Sequence, residues 1–180
     1  MITVIQIKDK QFTPYIESAK IQERIEELAN SINESYVGKD LVFVVVLNGA
    51  FMFASDLIKK VTVPSEITFV KVSSYEGGLA TTGRVDEIIG LDRSIVGKDV
   101  IIVEDIVDTG ITIDKMYKLL ELNNPSTLKI CSLLYKPEAH KGKVKPDMVG
   151  FEIPNRFVVG YGLDYDQKGR NYDSIYQLKD

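Results

Sequence analysis

Three carboxylates, Glu104, Asp105 and Asp108, fall within five residues directly behind the apolar run Val100–Val103. The chain continues as Thr109-Gly110-Ile111-Thr112. These residues offer successive backbone N–H groups and two hydroxyls at the start of a helical pattern, where unpaired donors and the helix dipole favour a phosphate. Carboxylates beside an anion site repel the anion unless they face something else. Ribose hydroxyls, a Mg²⁺ ion or a proton to be removed are natural partners. The spacing therefore suits one ligand that carries both a phosphate and a vicinal diol. An isolated DxxD is commonly a solvated turn; the phosphate-type continuation sets this one apart.

The elements that must position this loop can be read from hydrophobic pattern. Val100–Val103 sits in a run from Asp99 that predicts a buried strand, and Leu41 to Leu47, LVFVVVL, predicts another. Continuous β-branched runs without alternation mark strands covered on both faces, as in a parallel sheet. Glu66 to Val72 and Leu128 to Leu134 read as further strands, with shorter ones near Met148 to Phe151 and Phe157 to Tyr161. Thr13-Pro14 predicts a helix start, followed by an apolar face of Ile21, Ile25, Leu28 and Ile32 and a stop near Gly38. A short helix with inner residues Phe51, Ala54 and Ile58 follows Asn48-Gly49-Ala50. The helix after the acidic loop carries Ile113, Met116, Leu119, Leu120 and Leu122 inward. Ser73 to Gly83 has almost no core material and reads as a mobile loop or two-stranded flap. Alternating strands and helices predict an α/β fold, a central mostly parallel sheet flanked by helices. VGKD precedes both LVFVVVLNGA and VIIVEDIVDTG. Ligands sit at the carboxyl ends of strands in such sheets, so the two following loops are expected to share one site.

Composition narrows the function classes. With 44% hydrophobic and 27% charged residues over 180 positions, the chain can build a sizeable core. A net charge of -4 argues against a general nucleic-acid binder. The lone Cys131, the charged N-terminal stretch and the absence of a ~20-residue apolar run predict a cytoplasmic protein with no membrane partner. His140, in KPEAHKGKVKPD, reads as exposed, and Cys131 as core packing.

EDIVDTGIT resembles the phosphoribosyl diphosphate signature of type I phosphoribosyltransferases, and its Glu-Asp start resembles the hypoxanthine/guanine branch. The likeness runs from Leu41 to Arg170. LNGA, Leu47 to Ala50, resembles the family's diphosphate loop, and Ser73-Ser74-Tyr75 the start of its flap. Lys136 stands where the family has its base-recognising lysine, and FVVGYGLDYDQKGR resembles its C-terminal purine, metal and diphosphate segment.

The resemblance implies a single domain over residues 1–180, with a small hood and a mobile flap, assembled as a homodimer or homotetramer. It implies Mg²⁺-dependent purine salvage, forming IMP, and GMP from guanine. Glu104 and Asp105 would hold the ribose hydroxyls and metal, Asp108 would act as general base, and Asp108 to Thr112 would cradle the 5′-phosphate. Leu47, Asn48, Gly49 and Arg170 would contact diphosphate. Lys136, a donor only, would select a 6-oxopurine; Phe157 would stack on the base and the Val158 backbone pair with its edge. Asp164 would lie by the purine and approach a second Mg²⁺.

One position departs from the pattern. Many relatives carry Lys or Arg where this chain has Asn48, so the loop is expected to act through backbone N–H groups, with Gly49 allowing close approach or an unusual peptide. Two other functions remain open on the sequence: a non-catalytic nucleotide-sensing regulator on the same fold, and a xanthine-preferring transferase.

Overall fold

In the computed structural model, which describes residues 4–74, 86–91 and 93–179, the LVFVVV run is strand β3 (Leu41–Val46), and all six of its residues are buried. Before it come β1 (Ile5–Ile7), β2 (Lys10–Ile16) and helix α1 (Ser18–Ser35). After it come α2 (Phe51–Lys60), β4 (Ser65–Ser74), β5 (Asp86–Ile89), β6 (Asp99–Val107) and α3 (Ile111–Glu121). The chain continues through β7 (Thr127–Tyr135), β8 (Met148–Glu152), β9 (Val158–Val159) and β10 (Ile175–Leu178).

The larger sheet has the order β5-β4-β3-β6-β7-β8, with β5 antiparallel to β4 and the other five parallel. Alternate residues of β3 explain why its pattern is unbroken. Phe43 and Val45 pack into the layer with α1 and α2, while Val42 and Val44 pack into the opposite layer with α3. The two VGKD turns precede neighbouring strands, since Leu41 pairs with Asp99 in parallel register. Their following loops therefore leave the sheet side by side, as expected.

α1 buries Ile21, Ile25, Leu28 and Ile32, the face read from spacing. Each such side chain contributes roughly 1.5–3 kcal/mol. Its start differs from expectation. Thr13 and Pro14 lie in β2, which pairs with β1 and β10, and the helix begins at Ser18 behind an extended Glu17. A proline is tolerated there because register shifts beside it: Pro14 faces Tyr176 and Ile16 faces Ile175. The Ser18 N–H donates to Ser174 Oγ at 3.1 Å, so a distant segment supplies the helix start.

α2 also turns a different face inward. Phe53, Ala54 and Leu57 are buried, whereas Phe51 is exposed and Ile58 only partly covered. FMFASDLIKK supports either stripe by spacing, and the fit against α1 decides. In α3, Ile113, Met116 and Leu120 form the inner face, while Leu122 lies past the helix end and is exposed. β6 runs through Val107 rather than stopping at Val103, so Glu104 and Asp105 are strand residues.

A second, antiparallel sheet has the order β1-β2-β10-β9 and forms the hood. β9 spans only two residues of the expected strand 157–161. Ser73 and Ser74 pair with Glu87 and Asp86, the antiparallel arrangement of a two-stranded flap base. Tyr75 and the rest of the flap segment to Gly83 lie outside the described residues.

Candidate active site

The carboxyl ends of β3 and β6 converge on one cleft. A small cavity is lined by Glu104, Ile106, Val107, Asp108, Thr109, Gly110, Thr112 and Ile113. Gly110 caps α3 with φ of 80°, a left-handed conformation that costs glycine little. The Asp114 N–H donates to the Gly110 carbonyl at 2.9 Å, closing the first helical turn. Among the described residues the preceding N–H groups have no intrahelical acceptor, and that of Ile111 donates at 3.5 Å to Thr109 Oγ1; N–H groups in this position favour an anion.

The back of this loop is clasped by the lysine-rich segment after β7. Lys141 and Gly142 donate backbone N–H groups to the Thr109 carbonyl, at 2.9 and 3.1 Å. The Asp114 carboxylate accepts from the Lys143 and Val144 N–H groups. Burial raises its pKa, but these donors outweigh burial and leave it below the usual carboxylate range. His140 is not the solvent-facing residue its charged neighbours suggested. Its ring packs edge-on to Tyr135 at 5.4 Å and lies against Gly110, where a Cβ would come within 2.4 Å of Cε1. Both ring nitrogens are buried without a partner among the described residues.

Lys136 and Asp108 meet directly. Lys136 Nζ donates to Asp108 Oδ2 at 2.6 Å, with the lysine buried and the aspartate partly exposed. The backbone fixes this approach, since the Lys136 N–H donates to the Val107 carbonyl at 3.0 Å.

Glu104 and Asp105 are half-buried residues, and the Glu104 Oε2 atom is itself shielded from solvent. Glu104 Oε2 has no hydrogen-bond partner among the described residues, and burial, reinforced by neighbouring Asp105, raises the Glu104 pKa well above the usual range. Burial also pushes Asp105 up to about 6, partly offset by the Ile106 N–H and by Arg170. Among the described residues no group of three or more His, Cys, Asp or Glu forms a metal cage. A Mg²⁺ site does not need one, because this ion commonly uses one or two carboxylates plus substrate phosphates and water. Glu104, Asp105 and Asp164 are the carboxylates that could supply such ligands.

The loop after β3 approaches these carboxyls closely. Leu47–Asn48 is a cis peptide, and a Cβ on Gly49 would fall 1.6 Å from Asp105 Oδ2. Any side chain at 49 would therefore displace the Asp105 carboxyl group. On its other side Gly49 abuts Gly162, where a Cβ would lie 2.0 Å from the Gly49 carbonyl oxygen. The Gly162 carbonyl accepts from Arg170 Nη1 at 2.7 Å, and Arg170 pairs with Asp164 at 2.7 Å. The expected diphosphate, ribose and metal residues thus form one contiguous group.

Phe157 belongs to the hood, with its ring 5.9 Å from Tyr165 and 6.3 Å from Phe12, and it is 45% exposed. Its ring is tilted 41° to that of Phe12 and nearly perpendicular to that of Tyr165. Val158 pairs with Gln177 on one side only, because β9 is the edge of its sheet. Gly162, Tyr161, Asp56 and Asp114 carry no role in the expectations drawn from the sequence. Only Gly162 had a local signal, the Gly-Tyr-Gly spacing around Tyr161.

Residues 15–166 match the family model described as "Phosphoribosyl transferase domain". The chain is similar to the hypoxanthine phosphoribosyltransferase of Salmonella typhimurium, 47% identical over 158 residues covering 87% of this chain and 89% of the relative. It is 44% identical over 162 residues to the hypoxanthine-guanine phosphoribosyltransferase of Mycobacterium tuberculosis, covering 87% of this chain and 80% of that one. A crystal structure of a Staphylococcus aureus hypoxanthine phosphoribosyltransferase superposes with a TM-score of 0.84 at 42% identity, covering 92% and 90% of the two chains.

Proposed function

The chain belongs to the phosphoribosyl transferase family, and on that premise we propose that it joins hypoxanthine or guanine to 5-phosphoribosyl 1-diphosphate, forming IMP or GMP and releasing diphosphate in purine salvage. The observation that carries this reading is the Lys136–Asp108 pair at the mouth of the phosphate loop. A donor-only ammonium beside a carboxylate complements a 6-oxopurine, which offers a carbonyl oxygen and an N–H to be deprotonated.

In the proposed reaction the purine nitrogen forms a bond to the ribose anomeric carbon as the bond to the diphosphate oxygen breaks. Asp108 accepts the proton from the attacking nitrogen. Lys136 moves its hydrogen bond from Asp108 to the 6-oxo group, which frees the carboxylate for that proton. The backbone N–H groups of Thr109 to Thr112 and the threonine hydroxyls hold the 5′-phosphate. Phe157 stacks on the base, worth roughly 1–3 kcal/mol, and the free edge of Val158 pairs with it. Leu47 to Gly49 and Arg170 hold the leaving diphosphate, stabilising charge where it develops. Ser73, Ser74 and Tyr75 would begin the flap that the family resemblance implies, whose role would be to exclude water.

Mg²⁺ is part of the proposal: when bound it neutralises diphosphate charge. Glu104 and Asp105 would hold it on the ribose side and Asp164 on the hood side. The partnerless Glu104 Oε2 supports this, since a buried carboxyl oxygen without a donor suits a cation. We place the enzyme in the cytoplasm as one catalytic domain that assembles as a homodimer or homotetramer. Buried, unpaired Cys131 fits a reducing compartment, and no helix among the described residues is long and apolar enough to cross a membrane.

The experiment is Asp108→Asn. The variant is expected to fold and bind phosphoribosyl diphosphate while losing roughly 10²–10⁴-fold in kcat, the usual range for removing a general base. Turnover near that of the wild type would remove Asp108 from the role.

A further inference from the structure

Gly160, Tyr161 and Gly162 form a short left-handed knuckle, with φ of 95°, 49° and 98°. For a tyrosine such a backbone costs about 1–3 kcal/mol and persists only where the surroundings over-determine it. Here they do. The Tyr161 N–H donates to the Tyr172 carbonyl at 2.8 Å, and the Gly162 N–H to the Arg170 carbonyl at 3.0 Å. Gly162 is pressed against the Gly49 carbonyl, and its own carbonyl takes the Arg170 guanidinium. The knuckle is the point where the hood touches the loop after β3.

The Tyr161 side chain leaves the hood and enters the main core, where it is buried with α1 and α2 residues. Its hydroxyl donates to Asp56 Oδ2 and accepts from Gln22 Nε2 at 3.2 Å. Gln22 also donates to Asp56 Oδ2 at 2.7 Å, and Lys59 Nζ lies 2.6 Å from Asp56 Oδ1. Burial works to raise the Asp56 pKa, but the hydrogen bonds from Lys59, Tyr161 and Gln22 outweigh it and keep the carboxylate ionised. Burial and the bond to Asp56 push the Tyr161 hydroxyl well above the ordinary tyrosine range, so it stays a donor.

Asp56 lies on α2, the helix that begins two residues after Gly49. One hydroxyl therefore ties the Gly162–Arg170 side of the cleft to the body that carries the Leu47–Gly49 loop. The base-facing residues are secured by other means: Val158 and Val159 by pairing with β10, and Phe157 by Phe12 and Tyr165. We infer that Tyr161, through Asp56, is a positioning residue for the diphosphate end of the cleft, setting the gap between Gly49 and Arg170 without touching substrate. This rests on the proposed assignment of that end to diphosphate.

Tyr161→Phe keeps the ring and removes only the hydroxyl, so it is the variant to test, with Asp56→Asn as its partner. Steady-state kinetics with hypoxanthine and calorimetric titration with inorganic diphosphate or IMP, all with Mg²⁺, give the readouts. Tyr161→Phe is expected to raise KM for phosphoribosyl diphosphate and Kd for diphosphate about tenfold, a change of ~1.4 kcal/mol. KM for hypoxanthine and Kd for IMP should stay within about twofold. Asp56→Asn should shift the same constants in the same direction, and the double variant should be no worse than the poorer single one, as expected for one shared contact. Unchanged diphosphate affinity with a lowered Tm would reduce Tyr161 to a structural residue, and equal weakening of IMP and diphosphate would refute a diphosphate-specific role. A wild type that makes no nucleotide from any base would instead sink the functional reading, and that outcome is distinct from both.

Discussion

Lys136 Nζ lies 2.6 Å from Asp108 Oδ2, and the two partners are unequally buried: the lysine side chain is 7% exposed and the aspartate 42%. Deleting one partner therefore differs from deleting the other. Asp108→Ala leaves an ammonium buried without its acceptor, a cost of roughly 1–3 kcal/mol. Lys136→Met leaves a carboxylate that water can reach and keeps the aliphatic stem packed. Urea denaturation is expected to show Asp108→Ala as clearly the less stable variant, with Asp108→Asn between it and wild type. Equal losses would mean that the pair contributes nothing specific.

Gly49→Ala tests the contact between the two loops. The added methyl would meet Asp105 Oδ2 at 1.6 Å, and Asp105 Oδ1 is already held by the Ile106 N–H at 2.8 Å. Moving Oδ2 aside would rotate the carboxyl group and disturb the Oδ1 hydrogen bond. Overpacking of this kind costs about 1–3 kcal/mol, or several degrees in Tm for a chain of this size. The variant should melt lower and show a raised KM for phosphoribosyl diphosphate. An alanine variant with wild-type Tm and KM would show that the cleft opens more easily than its packing implies.

Asp114 supplies a pH dependence. Its carboxyl is held below the ordinary value of 3.8, because the Lys143 and Val144 N–H groups outweigh the effect of burial. A carboxyl depressed in the folded state stabilises above its unfolded pKa and loses that contribution as pH falls through the folded one. Wild type should therefore exceed Asp114→Ala in stability at neutral pH, and the difference should close below about pH 4. Thermal melts of both proteins from pH 3 to 8 provide the check, and a pH-independent difference would count against the assignment.

Legibility in the sequence followed the range of the interactions. β3 was readable because its burial on both faces writes an unbroken β-branched run, and α1 because Ile21, Ile25, Leu28 and Ile32 repeat at helical spacing. The acidic loop was readable because its donors and carboxylates are consecutive. The hood was not, since β2 pairs with β10 at the far end of the chain and Ser18 takes its cap from Ser174, 156 positions away. Pro14 then argued locally for a helix start, while a register shift in the distant partner strand made it tolerable. His140 was misread for the same reason: its neighbours in sequence are charged, but its neighbours in space are Gly110 and Tyr135. The sequence singles out Lys136 and Asp108 separately, yet their direct contact spans 28 positions and has no local signature.

The proposed reaction in this cleft transfers phosphoribose to a 6-oxopurine. The direct measurement is product formation by the purified protein from phosphoribosyl diphosphate and Mg²⁺ with hypoxanthine, guanine, xanthine or adenine, followed by chromatography. IMP is expected from hypoxanthine and GMP from guanine, with no AMP, because Lys136 offers adenine's amino group only another donor. AMP as the main product, or no nucleotide from any of the four bases, would contradict the account.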